Sequence, residues 1–180
     1  PRLGGDLFNL AARVNRLGDR ALMVSRLGQD ALGDEALAAV RSLGLETTLL
    51  QRDPAHPTGT VQVCFDEKGI PDYLIVPEVA YDYIESGEVL DDAVAQADCF
   101  CFGTLVQRTE GTRKTLRNLL AHAENCLRVL DINLRKDCYS RETVEYSLGH
   151  ADLLKLNDDE VRTLDELLEV SCGDPVAFCA

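Results

Sequence analysis

The chain has 180 residues, with 18 Lys plus Arg against 31 Asp plus Glu, and a formal net charge of −13. A surface this acidic, with a pI near 4.6, repels nucleic-acid phosphates and anionic lipid, which are bound by clustered cations, so the partners expected are small molecules, with no nucleic acid and no membrane. With 46% hydrophobic residues the composition is globular, and a chain of this length buries roughly 68–70% of the surface its unfolded form exposes.

Both ends read as cut. The chain opens at Pro1 without a Met and soon reaches Gly4-Gly5, a tight turn of the kind that follows a strand. At the other end Asp174 and Pro175 make an N-cap and a first helical residue, yet the chain stops at Ala180. The expectation is an internal piece of a longer protein. No run of about 18 apolar residues and no basic-then-apolar leader occurs, so it is expected to be soluble, unsecreted and cytoplasmic.

Leu7, Leu10, Ala11, Val14 and Leu17 lie at helical spacing and are stopped by Gly18, and the apolar run 21–24 reads as a strand. Residues 35–43 repeat the helical pattern with Gly44 as the stop, and 47–50 read as the next strand. The period then changes. Val61, Val63 and Phe65 alternate with Thr60, Gln62 and Cys64, residues 66–69 read as a turn and 73–76 as the return, which predicts a hairpin. After Pro77 the crossover rhythm resumes, with helices over 89–97, 112–122 and 141–148 and strands over 99–102, 128–132 and 153–156. Strands alternating with helices predict an α/β fold, a doubly wound parallel sheet with helices on both faces and right-handed crossovers. The hairpin interrupts it, dividing the chain into a core (1–57 and 77–180) and a small β lid (58–76).

The seven cysteines, Cys64, Cys99, Cys101, Cys126, Cys138, Cys172 and Cys179, are odd in number and several sit in apolar runs. They read as buried thiols in a reducing compartment. No C-x-x-C pair occurs, and His56, His122 and His150 lack i,i+4 spacing, so no direct metal site is expected.

Ligands of an open parallel sheet collect beyond the carboxyl ends of its strands, which directs attention to four stretches. Gly4-Gly5 allows close approach of backbone, and Asn9 offers a donor and an acceptor to a hydroxyl; the competing reading is a helix-entry turn with Asn9 on the solvent face. Gly28-Gln29-Asp30-Ala31-Leu32-Gly33 is the second. In the third, Asp131, Asn133 and Arg135 alternate and point to one side if extended, suiting a polyhydroxylated or anionic ligand, against a loop salt bridge between Asp131 and Arg135. In the fourth, Asn157-x-x-Glu160 has the pattern of a capping box, while Lys155 and a carboxylate beside a helix N-terminus also suit phosphate and magnesium.

In this order, with the hairpin between the second and third, these stretches resemble the ribokinase, or PfkB, family of carbohydrate kinases. Gly4-Gly5-x-x-x-Asn9 is similar to its first signature and Gly28-x-Asp30-x-x-Gly33 to its G-x-D-x-x-G turn. Thr58-Gly59 is similar to its T-G lid strand, Asp131-x-Asn133-x-Arg135 to its D-x-N-x-R loop, and Lys155-x-Asn157-x-x-Glu160 to its K-x-N-x-x-E. The resemblance runs from Gly4 to about Leu168. It implies transfer of the ATP γ-phosphate to a primary hydroxyl of a sugar, by positioning and charge neutralisation. It implies that Gly4, Gly5, Asn9, Asp30, Asp131, Asn133 and Arg135 bind the substrate, and that Lys155, Asn157 and Glu160 act through water on phosphate and magnesium. ATP and Mg2+ are the implied cofactors, with K+ as a further monovalent cation, and a homodimer through the lid is the implied assembly.

The family's G-A-G-D motif, with its general base, does not occur, which places the catalytic base beyond Ala180 and leaves this segment inactive alone. The sugar-binding first strand and first lid strands would precede Pro1. Asp6-Leu7-Phe8 is bulkier than the small residues common there, and Leu134 between Asn133 and Arg135 leans toward fructokinases and 2-keto-3-deoxygluconate kinases, so the expected acceptor is a ketohexose or sugar acid. The alternative is a non-catalytic sugar-binding or regulatory member of the fold. A dinucleotide-binding oxidoreductase fits the rhythm but lacks G-x-G-x-x-G after a strand.

Overall fold

Gly5, at φ 121°, turns the chain into α1 (Asp6–Arg16), a conformation that glycine adopts without steric cost. The computed structural model describes residues 4–65 and 71–171, and the chain divides into two units, Pro1–Leu90 and Asp91–Ala180. In the first unit β1 (Ser25–Gly28) leads through the N-cap Asp30 into α2 (Ala31–Ser42), and β2 (Leu50–Asp53) follows. β1 and β2 pair in parallel from Ser25 opposite Leu50 to Gly28 opposite Asp53. Val40, Leu45 and Leu50 form the buried core of this unit, with Phe8, Ala11, Ala21, Met23 and Leu27 against it.

Both strands lie further along the chain than predicted. The run 21–24 contributes Ala21 and Met23 to the core but only one isolated parallel bridge, Leu22 to Glu46. The paired strands hold Arg26 and Asp53 at buried positions, and charges there conceal a strand from an apolar scan. The hairpin is as expected in type. β3 (Val61–Phe65) and β4 (Pro71–Ile75) pair antiparallel, Val61 opposite Ile75 and Val63 opposite Tyr73. Val61 and Val63 are 55% and 49% exposed. The turn assigned to 66–69 and the helix start at Asp174 lie outside the described residues.

α3 (Glu88–Ala95) spans the boundary between the units in sequence. The second unit then alternates β5 (Cys99–Gly103), α4 (Glu110–His122), β6 (Leu127–Asp131), α5 (Arg141–Gly149), β7 (Leu153–Lys155) and α6 (Asp158–Leu168). Its sheet is parallel throughout, in the order β5-β6-β7. Phe102 and Leu130 of the strands join Ile132, Leu116 and Leu120 of α4, Val144 of α5 and Leu164 of α6 in one buried cluster. Fully burying each such side chain is worth about 1.5–3 kcal/mol.

Period-2 alternation in β5 sends Phe100 and Phe102 into this cluster and the intervening cysteines the other way. Cys99 is consequently exposed, and Cys101, Cys126 and Cys138 are half-buried. This corrects the expectation of buried thiols for these four; for Cys99 and Cys101 the reason is that an apolar run in a strand does not place every member on the covered face, while Cys126 and Cys138 lie outside the strands. No helix among the described residues is long and apolar enough to cross a membrane.

Candidate functional site

In the first unit the turn after β1 is built around Asp30. Its Oδ1 accepts the Gly33 N–H at 2.7 Å, which caps α2, and also the Thr58 hydroxyl at 2.7 Å. Its Oδ2 accepts the Thr58 N–H at 2.8 Å, while Thr58 Oγ1 accepts the Gly28 N–H at 3.0 Å. The hydrogen bonds from the Thr58 backbone and hydroxyl hold the Asp30 carboxyl below the usual range. Asp30 therefore acts first on the chain itself, joining the glycine turn to the residue that begins the hairpin.

The glycines of this turn are needed for space. A Cβ on Gly28 would lie 2.6 Å from the Thr58 nitrogen, and one on Gly33 2.2 Å from the Gly28 carbonyl oxygen. At Gly59 the Tyr81 ring fills the space a side chain would take. Gly4 has open space around it and is exposed. Asn9 is exposed on α1 and lines a groove of about 570 Å³ with Phe8, Arg13, Arg16 and, from α2, Ser42 and Leu43.

In the second unit the strand ends β6 and β7 stand side by side, Asp131 opposite Lys155. Lys155 Nζ reaches Asp131 Oδ1 at 2.9 Å, an ion pair that runs between the two strands. The loop does not stay extended. β6 ends at Asp131, and Asn133 and Lys136 adopt φ of 39° and 29°, which breaks the alternation expected to aim Asp131, Asn133 and Arg135 to one side. Arg135 is exposed and Asn133 half-buried. Burial and the adjacent Asp131 charge push the Cys101 thiol up to about 11.

Asn157 and Glu160 form the capping box. Asn157 Oδ1 accepts the N–H groups of Asp159 and Glu160, and Glu160 Oε2 accepts the Asn157 N–H at 2.8 Å. Spacing alone misses the other half of Glu160. Its Oε1 accepts the Leu134 N–H at 3.1 Å, tying α6 to the loop that carries Asn133 and Arg135. Thr104 also holds that loop, its hydroxyl donating to the Ile132 carbonyl at 2.8 Å. Asp30, Asp131–Arg135 and Lys155–Glu160 thus each stand at or just beyond the carboxyl end of a parallel strand.

A family model described as pfkB family carbohydrate kinase matches residues 2–169. The chain belongs to this family. A fructokinase of Escherichia coli is 25% identical over 171 residues, covering 91% of this chain and 55% of that protein. An uncharacterized sugar kinase from Pyrococcus horikoshii has a crystal structure that superposes with a TM-score of 0.80 at 26% identity, over 91% of this chain and 56% of that one. Its complex with ATP superposes with a TM-score of 0.76. The fructokinase of Halothermothrix orenii, at 24% identity and a TM-score of 0.84 over 97% of this chain and 62% of that one, shares the fold. The ribokinase-like α/β class expected from the motifs is the class observed. The chain spans about half the length of the curated relatives it matches.

Proposed function

We propose that the whole protein is an ATP-dependent sugar kinase that transfers the γ-phosphate of ATP to a primary hydroxyl of a ketohexose or sugar acid, as fructokinases do. The observation that carries this reading is the position of Asp30, Asp131–Arg135 and Lys155–Glu160 at the carboxyl ends of parallel strands in a chain of the pfkB family. In this reading Gly4, Gly5, Asn9, Asp30, Asp131, Asn133 and Arg135 serve the sugar. Lys155, Asn157 and Glu160 serve the phosphate side at the positive end of α6. ATP bound to the Pyrococcus relative supports the choice of nucleotide.

The residues at the start of α6 fit magnesium through water. Glu160 is buried and each of its oxygens already accepts a backbone N–H, while Asp158 and Asp159 in the same turn are exposed carboxylates, Asp159 being paired with Arg162 at 2.8 Å. Bound magnesium would neutralise phosphate charge there. K+ stays an expectation of the resemblance, with no residue assigned to it. The reading includes a division into a core (1–57 and 77–180) and a lid (58–76), pairing of two lids in a homodimer that covers Val61 and Val63, and a cytoplasmic location.

It also places the general base outside these 180 residues. The test compares the 180-residue chain with the whole encoded protein in a coupled assay of sugar-dependent ADP release. Turnover by the whole protein and none by the 180 residues is the expected result, since a general base alone contributes about two to four orders of magnitude. Turnover by the 180 residues would refute the placement of the base. Sugar binding without turnover by the whole protein would favour a non-catalytic member of the fold.

A further inference from the structure

Asp53, the last residue of β2, is 1% exposed and its carboxylate is fully occupied by the chain. Oδ1 accepts the N–H groups of Ala55 and His56, at 2.8 and 3.1 Å, which shapes the turn leading to Thr58. Oδ2 meets His56 Nδ1 at 3.0 Å and the Arg26 Nε at 3.0 Å, the latter as a charge contact without hydrogen-bond alignment. Burial pushes this carboxyl up, but the N–H donors, His56 and Arg26 more than offset it and hold it below the usual range.

The same cluster also grips the segment that leaves the hairpin. Arg26 donates from Nη1 to the Tyr83 carbonyl at 2.5 Å, and the His56 ring stacks on the Tyr83 ring with centroids 3.6 Å apart and planes 11° apart. Between the two legs, Ala80 N–H donates to the Pro57 carbonyl at 2.8 Å. Beyond this base the strands of the hairpin pair only with each other among the described residues. A buried charge is costly unless paired, so a carboxylate and a guanidinium buried together at the root of a projecting hairpin fix one geometry there.

We propose that Asp53, with Arg26 and His56, is a positioning clamp that holds both legs of the β3–β4 hairpin against the Gly28–Gly33 turn and thereby sets the affinity for the sugar the hairpin covers, without touching it. The proposal rests on the sugar-kinase reading and adds to it residues that lie outside the family's five motifs. Asp53 works through the turn it shapes. That turn presents Thr58 to Asp30, so a shift of the root by a fraction of an ångström is passed to the acceptor site.

The test uses Asp53→Asn in the whole encoded protein, which keeps the shape and Oδ1 but removes the buried one of the two carboxylate charges facing Arg26, the exposed Glu85 carboxylate at 2.7 Å from Nη1 remaining. His56→Ala is the second variant, should the first fail to fold, because its ring is 31% exposed and its loss leaves the Asp53–Arg26 contact in place. The expected result is a rise of about ten- to a hundredfold in KM for the sugar with KM for ATP unchanged. Amide exchange at Ala55, His56 and Thr58 should quicken about tenfold or more while Leu130 in β6 keeps its protection. A fall in kcat with both KM values unchanged would mark a merely structural role and overturn the proposal, as would wild-type kinetics. If the wild-type protein turns over no sugar, the sugar-kinase reading fails separately and amide exchange decides alone, with unchanged rates at the three amides overturning the clamp.

Discussion

Replacing Glu160 with Gln preserves the shape of a side chain that is 8% exposed and changes what its second oxygen can accept. The carboxylate receives two backbone N–H groups, from Leu134 at 3.1 Å and from Asn157 at 2.8 Å. An amide has one acceptor oxygen, so its NH2 group must face one of these donors. A charge-assisted bond worth about 1.5–3 kcal/mol is lost, and an N–H is left facing another donor. The expected cost is about 2–3 kcal/mol, which at roughly 2–4 °C per kcal/mol lowers Tm by about 5–10 °C. Asn157→Ala, which removes only the cap, should cost about 1 kcal/mol. Urea melts of both variants measure the difference, and exchange at the Leu134 amide locates it. If Glu160→Gln lies within about 0.5 kcal/mol of wild type and Leu134 keeps its protection, Glu160 does not hold the loop and the reasoning is wrong. In the proposed kinase the same variant should also raise the magnesium requirement, an effect capping alone does not produce.

Gly33→Ala should destabilise by about 1–3 kcal/mol despite the better helix propensity of Ala, because its Cβ would meet the Gly28 carbonyl oxygen; a variant as stable as wild type in urea would contradict this. The Arg128 guanidinium and N–H pull the Asp152 carboxyl down to about 2. Its stabilisation is therefore complete above the ordinary value of 3.8 and lost as pH falls toward 2. Asp152→Asn should melt below wild type at pH 6 and converge with it between pH 4 and 2, and a constant deficit across that range would be evidence against the pairing. A Cys101 thiol at about 11 holds roughly a hundredth of the thiolate of one near 9 at neutral pH, so iodoacetamide on the native protein should leave it unmodified by mass spectrometry while a free thiol reacts.

α4, α5 and the second unit's strands are legible in the sequence because their periodicity coincides with their burial, whereas α1 shows the same spacing but holds no buried residue. Leu130 and Val144 are apolar where the spacing puts the core, and both are 0% exposed. β1 and β2 are displaced from their predicted positions for the opposite reason: Arg26 and Asp53 occupy buried strand positions, a pairing that only the third dimension reveals. The glycines after β1 and the Asn157 cap follow from local chemistry and are found as expected in kind. Contacts between distant segments are not legible. Neither the grip of Asp30 on Thr58 nor that of Glu160 on Leu134 has any signature in spacing, and the left-handed turn at Asn133 defeats an alternation that holds only for extended backbone.

Sugar-dependent ADP formation by the whole encoded protein, measured with ATP and magnesium against fructose, other ketohexoses and sugar acids, tests the central claim most directly. The account expects ADP release that needs one of these acceptors, saturates with it and yields a product phosphorylated at a primary hydroxyl. ADP release indifferent to every sugar, or none while the same protein binds ATP, would contradict it.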